Sequence, residues 1–81
     1  MSETIYQIEF QTKTEIGFKD HYETTFAWDF LPRVGDVIAI DGYYHKVLCV
    51  EYDSKHKIEP TVYIESIGDY VEYTEKYLAN L

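Results

Sequence analysis

Polar and apolar positions alternate over residues 4–12, with Tyr6, Ile8 and Phe10 pointing one way and Gln7, Glu9 and Gln11 the other. A period of two is that of a half-buried strand, so a first strand is expected there. Residues 13–19 mix charge with Gly17 and predict a loop, in which Ile16 and Phe18 either extend a strand or pack back over the core. Alternation returns over 20–28, where Tyr22, Thr24, Phe26 and Trp28 share a face, and predicts a second, antiparallel strand. Pro32 then biases Leu31 away from helix, and Gly35-Asp36 supplies a turn within 29–36.

Turn chemistry and apolar pattern agree most strongly over 33–53. The runs Val-Ile-Ala-Ile (37–40) and Val-Leu-Cys-Val (47–50) flank Asp41-Gly42, a pair that readily adopts the left-handed conformations of a tight hairpin. Both runs are continuously apolar, which predicts strands covered on both faces or curving across a closed barrel. A barrel is the more economical geometry for so short a chain. Residues 53–57 form a polar connection, and Pro60 fits a strand start or an edge, so a fifth strand is expected over 61–67, near an edge, with Val62 and Ile64 inward. Over 69–81, Asp69 followed three residues later by Glu72 resembles a capping box, and Tyr70, Thr74, Tyr77, Leu78 and Leu81 fall on one helical stripe. A short C-terminal helix is the reading; its rival is a sixth strand, because Val71, Tyr73, Glu75 and Tyr77 also alternate.

Composition changes the picture in three ways. The 81 residues allow one domain, 1–81, and a hydrophobic share of 46% with nine tyrosines can fill its core while phenol hydroxyls stay wet. Fifteen acidic against seven basic residues give a formal charge of -8, which opposes direct binding to nucleic acid or an anionic membrane and points to partners with basic surfaces. Cys49 is the single cysteine, so no internal disulfide forms. The first residues lack the basic start and apolar stretch of a secretory signal, and no apolar run approaches the ~20 residues of a membrane helix. A cytoplasmic, soluble protein is expected.

The stretch 31–52, Leu-Pro-Arg-Val-Gly-Asp-Val-Ile-Ala-Ile-Asp-Gly-Tyr-Tyr-His-Lys-Val-Leu-Cys-Val-Glu-Tyr, resembles the Pro-x-x-Gly-Asp, aliphatic strand, turn, Tyr-x-x-Val-x-x-Val pattern of small SH3-like β-barrels of bacteria and their phages. That resemblance implies an all-β fold, a small five-stranded SH3-like barrel. Gly35 and Asp36 would make the turn entering a strand, and Tyr44, Val47 and Val50 would line the core. The KOW motif opens similarly, but its second strand carries glycines in basic surroundings; here those glycines are absent and Lys46 stands alone.

No sequence motif carries a reaction, and neither a catalytic residue, a cofactor nor a metal ligand is assigned. His45 and Cys49 would share a strand face with Cα atoms ~13 Å apart, too far for a nucleophile and base. Cys49, in the most apolar run, reads as a small hydrophobe. His21, His45 and His56 read as scattered surface histidines without metal-ligand spacing. Carboxylates could still converge in space as in a glycosidase. Glu9, Glu23, Glu51 and Glu65 read first as solvated strand faces. The tail is different: Glu65, Asp69, Glu72 and Glu75 oppose only Lys76, with Tyr70, Tyr73 and Tyr77 interleaved.

Carboxylates beside partly exposed tyrosines suit the binding of a basic surface, since charge speeds encounter and rings supply contact area. Tyr43, just after the hairpin turn, is a further surface anchor unless it packs across the strands on Ile38 or Ile40. The expected function is a non-enzymatic protein-binding module, a phage or mobile-element inhibitor that occludes a nucleic-acid-binding surface of a host protein as an acidic mimic. Its partner contacts would be Glu65, Asp69, Glu72, Tyr73, Glu75 and Tyr43. The alternative is an assembly component, a homo-oligomer formed through an edge strand such as 61–67.

Overall fold

A computed structural model describes residues 4–20, 25–55 and 58–81. It contains, among these residues, six strands: β1 (Tyr6–Thr14), β2 (Gly17–Asp20), β3 (Phe26–Trp28), β4 (Val37–Ile40), β5 (Tyr43–Glu51) and β6 (Thr61–Gly68). They form one open sheet in the order β2-β1-β6-β5-β4, with β3 also paired to β1. The fold is mostly β, but with six strands rather than five. The expected second strand corresponds to β2 and β3, and the part of it at 21–24 lies outside the described residues. Every pairing is antiparallel except β1 with β6, which run parallel with Glu9 opposite Thr61 and Thr12 opposite Ile64.

That parallel pairing overturns one expectation. The strand at 61–67 is not an edge; β6 lies between β1 and β5. Pro60 nevertheless sits just before the strand, where its missing N–H interrupts no ladder, and its carbonyl accepts from Glu9 N at 3.1 Å. Residues 13–19 are not a loop either. Thr14 faces Gly17 across a two-residue turn, and β1 and β2 form a hairpin whose tip leaves Ile16 99% exposed.

The inner face carries the core. Ile8 and Phe10 of β1 meet Val62 and Ile64 of β6, Val47 of β5, and Ile38 and Ile40 of β4, all buried. Phe26 and Trp28 each set a ring centroid 5.4 Å from Phe10 in an edge arrangement. The Asp41-Gly42 hairpin forms as the sequence predicts, with φ of 51° and 84°, the two positive values of a type I′ turn. The apolar runs are not covered on both faces, however: Ala39 and Cys49 are exposed, and Val37 and Leu48 are half-buried.

A bulge in β5 decides which side chains reach the core. Val47 pairs with Ile64, but Cys49 pairs with Tyr63, leaving Leu48 without an opposite residue. Inserting one residue exchanges the two faces of the strand beyond it. Before the bulge, His45 and Val47 point inward; after it, Val50 does. His45 is therefore buried at 2% exposure rather than on the surface, and Cys49 is exposed rather than a buried hydrophobe. Tyr44, expected in the core, lies on the outer face, half-buried.

The tail is helical throughout 70–80. Asp69 caps it, its Oδ1 accepting from Glu72 N at 3.0 Å. A short α turn, α1 (Tyr70–Glu72), widens into a π segment (Tyr73–Tyr77) and closes as a 3-10 turn (Leu78–Asn80). The docking stripe is rotated from the expected one. Tyr73 stacks on Tyr44 with centroids 4.2 Å apart and rings 6° from parallel, and Tyr77 stacks on Tyr73 at 5.8 Å. Tyr70, Leu78 and Leu81 are exposed instead. Tyr44 on the outer face is the anchor, so the tail turns Tyr73 and Tyr77 toward the sheet.

Candidate protein-interaction surfaces

The outer face of the sheet places carboxylates in a row that local sequence reading leaves scattered. Glu9 of β1 lies opposite Thr61 of β6, and Thr61 lies opposite Glu51 of β5. Two strand spacings put the Cα atoms of Glu9 and Glu51 ~10 Å apart. Asp53 and Glu59, from the connection between β5 and β6, extend the row, and Gln7 and Thr25 complete a groove of about 560 Å³. Its described lining includes four carboxylates and no lysine or arginine.

Three of these carboxylates accept hydrogen bonds from neutral donors. Gln11 Nε2 donates to Glu9 at 2.9 Å, Tyr63 Oη to Glu51 at 3.2 Å and Lys55 N to Asp53 at 2.7 Å. These bonds orient the carboxylates without cancelling their charge. Tyr63 responds to the surroundings: burial pushes its phenol above the ordinary value, and the hydrogen bond to Glu51 with the negative charge nearby pushes the same way. Phe18 covers that ring edge-on at 5.0 Å. Glu9 and Glu51 were legible as solvated strand residues; their convergence with Asp53 and Glu59 depends on β1 and β6 pairing, which no local pattern announces.

The residues expected to bind a partner divide into separate environments. Glu65 lies on the outer face of β6, opposite Lys46 and 3.5 Å from Lys13 Nζ. Glu72 lies 3.5 Å from Lys76 Nζ. Glu65 thus meets Lys13 of the sheet, with Lys46 across the strand from it, and the expectation that Lys76 alone opposes these acids is corrected. Asp69 is the cap, and Glu75 is exposed. Tyr73 is spent on the stack with Tyr44. Tyr43 is 58% exposed, and Tyr70 and Val71, at 63% and 57%, join Leu78 and Leu81 as exposed apolar side chains of the tail. Tyr70 and Val71 were missed because the helical stripe assigned Tyr70 to the buried side. A shallow pocket of about 220 Å³ lies on the tail between Tyr70, Val71, Thr74 and Glu75.

His45 and Cys49 lie on opposite faces of the sheet, so they form no nucleophile and base pair. Among the described residues no group of three or more His, Cys, Asp or Glu side chains is arranged to hold a metal ion, and no helix is long and apolar enough to cross a membrane. His21 and His56 lie outside the described residues. No protein-family model, no curated protein and no solved structure matches the chain.

Proposed function

We propose that this chain is a cytoplasmic, non-enzymatic protein-binding module whose outer-face groove receives basic side chains of a partner protein. The observation that carries the reading is the row Glu9, Glu51 and Asp53, oriented by neutral donors in a groove whose described lining holds no lysine or arginine. Lysine or arginine entering it would exchange water for several carboxylates at once, and the -8 charge of the chain would speed the encounter. Tyr70 and Val71 supply a second, apolar contact beside Glu75. A basic surface used for nucleic acid is the partner this charge pattern suits, and masking it would make the protein an inhibitor. The small size, the acidity and the 31–52 resemblance to SH3-like barrels support a phage or mobile-element protein acting on a host protein. We read the open sheet as a departure from that barrel, with β1 and β6 joined in parallel.

Affinity capture from host lysate at low and high salt tests this, with Glu9→Gln/Glu51→Gln/Asp53→Asn and Glu72→Ala/Tyr73→Ala/Glu75→Ala variants in parallel. The expected result is a partner held at low salt, released at high salt and lost with the groove variant. A partner indifferent to both salt and groove charges would overturn the reading. The second reading, an assembly component, draws on the open sheet: with β6 interior, the apolar edges that could serve it are β4 and the shorter β3.

A further inference from the structure

The outer edge of β4 takes no part in the groove or the tail. Among the described residues β4 pairs only with β5. Val47 N donates to the Asp36 carbonyl at 2.9 Å while the Val47 carbonyl accepts from Gly35 N at 2.9 Å, so Asp36 turns its carbonyl toward β5 just ahead of the strand. Inward and outward positions alternate along an antiparallel ladder, so Ile38 and Ile40 turn their N–H and C=O toward β5, and Val37 and Ala39 turn theirs toward the open edge. Beside that edge runs a groove of about 400 Å³ lined by Trp28, Phe30, Pro32 and residues 36–39, Asp36 among them. Trp28 and Phe30 stack at 5.0 Å with rings 14° apart and form one wall. The opposite edge, β2, carries Lys19 and Asp20; β4 reads Val-Ile-Ala-Ile, with no charge or proline inside the strand to guard its edge.

We propose that the β4 edge accepts an extended segment of a partner protein as an added strand, aliphatic at alternate positions and flanked by lysine or arginine. Its main chain pairs with Val37 and Ala39, and one of its side chains fills the groove against Trp28, Phe30 and Pro32. The charge of its flanks follows from the surroundings, where Asp29, Asp36 and Asp41 outnumber Arg33 and Lys46. A second copy fits poorly. Antiparallel β4–β4 pairing in this register sets Val37 opposite Ala39 of the other copy and brings each Asp36 beside the other copy's Asp41. It joins two chains of charge -8 through four-residue edges, so like charge opposes the pairing. The edge shares no lining residue with the acidic groove, so the inference stands independently of the groove's partner.

The test is a phage-displayed random-dodecamer selection against the full chain, followed by titration of enriched synthetic peptides into ¹⁵N-labelled protein. Enriched sequences should alternate aliphatic residues between basic flanks. The Val37 and Ala39 amides should shift and gain exchange protection, while those of Ile38 and Ile40, already bonded to β5, change little. Ala39→Pro removes an outward N–H without touching the β5 ladder and should weaken binding about tenfold or more. Phe30→Ala, at an exposed ring, should weaken it by about threefold or more and serves if the proline variant does not fold. Glu9→Gln/Glu51→Gln should leave it within about twofold. No enriched peptide, or peptides that shift only groove resonances, would overturn the inference. So would a sedimenting dimer with Val37 and Ala39 protected in the absence of peptide, which would assign the edge to a second copy. Loss of peptide binding alongside a salt-sensitive groove partner would remove this inference and leave the groove reading intact.

Discussion

Gly68 joins β6 to the Asp69 cap at a φ of 131°, and a Cβ built there would lie 2.7 Å from Glu72 Cδ, 2.8 Å from its Cβ and 2.9 Å from its Oε1. Gly42, at a φ of 84°, has nothing within 4 Å of such a Cβ. Substituting alanine at each position therefore separates backbone strain from collision. Gly42→Ala should cost about 1 kcal/mol, the strain of a left-handed residue partly offset by a stiffer unfolded chain. Gly68→Ala adds ~1–3 kcal/mol for overpacking against Glu72 to ~1–3 kcal/mol of strain, for a total of about 3–4 kcal/mol. The difference of ~2 kcal/mol is a large part of the ~4–12 kcal/mol available to a chain of this size. Urea unfolding followed by far-ultraviolet circular dichroism and by fluorescence of Trp28, the sole tryptophan, measures it. At a slope of ~1 kcal/mol/M the two midpoints should differ by ~2 M. In a Glu72→Ala background the Cδ and Oε1 contacts vanish while the Cβ contact stays, so about half of the difference should return. Equal losses from the two glycine variants, within ~0.5 kcal/mol, would refute the reasoning.

Tyr73→Ala breaks two stacks and should lower stability by ~2–3 kcal/mol, whereas Tyr73→Phe keeps both rings and should cost less than ~0.5 kcal/mol in the same unfolding assay. Asp69→Ala removes the cap and should cost ~1 kcal/mol, with Asp69→Asn close to silent. The phenol of Tyr63 is held above its ordinary value of 10.0, so its protonated form contributes stability that is fully present below that value and is lost as pH rises through the raised one. Unfolding midpoints compared at pH ~9 and ~11 should fall less in Tyr63→Phe than in the parent protein.

Local chemistry made several elements legible. Asp41-Gly42 specified its turn, the alternation around Ile8 and Phe10 specified a buried face, and Asp69 with Glu72 marked a helix start. Each is a rule that operates within a few residues. The face assignments in β5 failed because one extra residue at Leu48 inverts the strand beyond it, and nothing in Val-Leu-Cys-Val distinguishes the bulged residue. The place of β6 inside the sheet was hidden because partner choice depends on β1, far away in the chain. The same distance hid the groove, whose Glu9 and Glu51 come together only through Thr61. The tail's face was misread because an ideal helical period was applied to a segment that widens into a π turn, with Tyr44 stacked on Tyr73 at 4.2 Å and Tyr70 tilted beside it at 6.2 Å.

The parallel union of β1 with β6 also sets the order in which the molecule can be completed. Glu9 and Thr61 are about 50 residues apart, and closing so long a loop precedes any gain from their contact. During synthesis, Ile8 and Phe10 emerge well before Val62 and Ile64, the residues that cover them. Until β6 arrives, β1 offers an unpaired apolar edge in the middle of the future sheet. Folding of this chain should therefore be slow for its size, with its greatest exposure to aggregation before the central strand is in place.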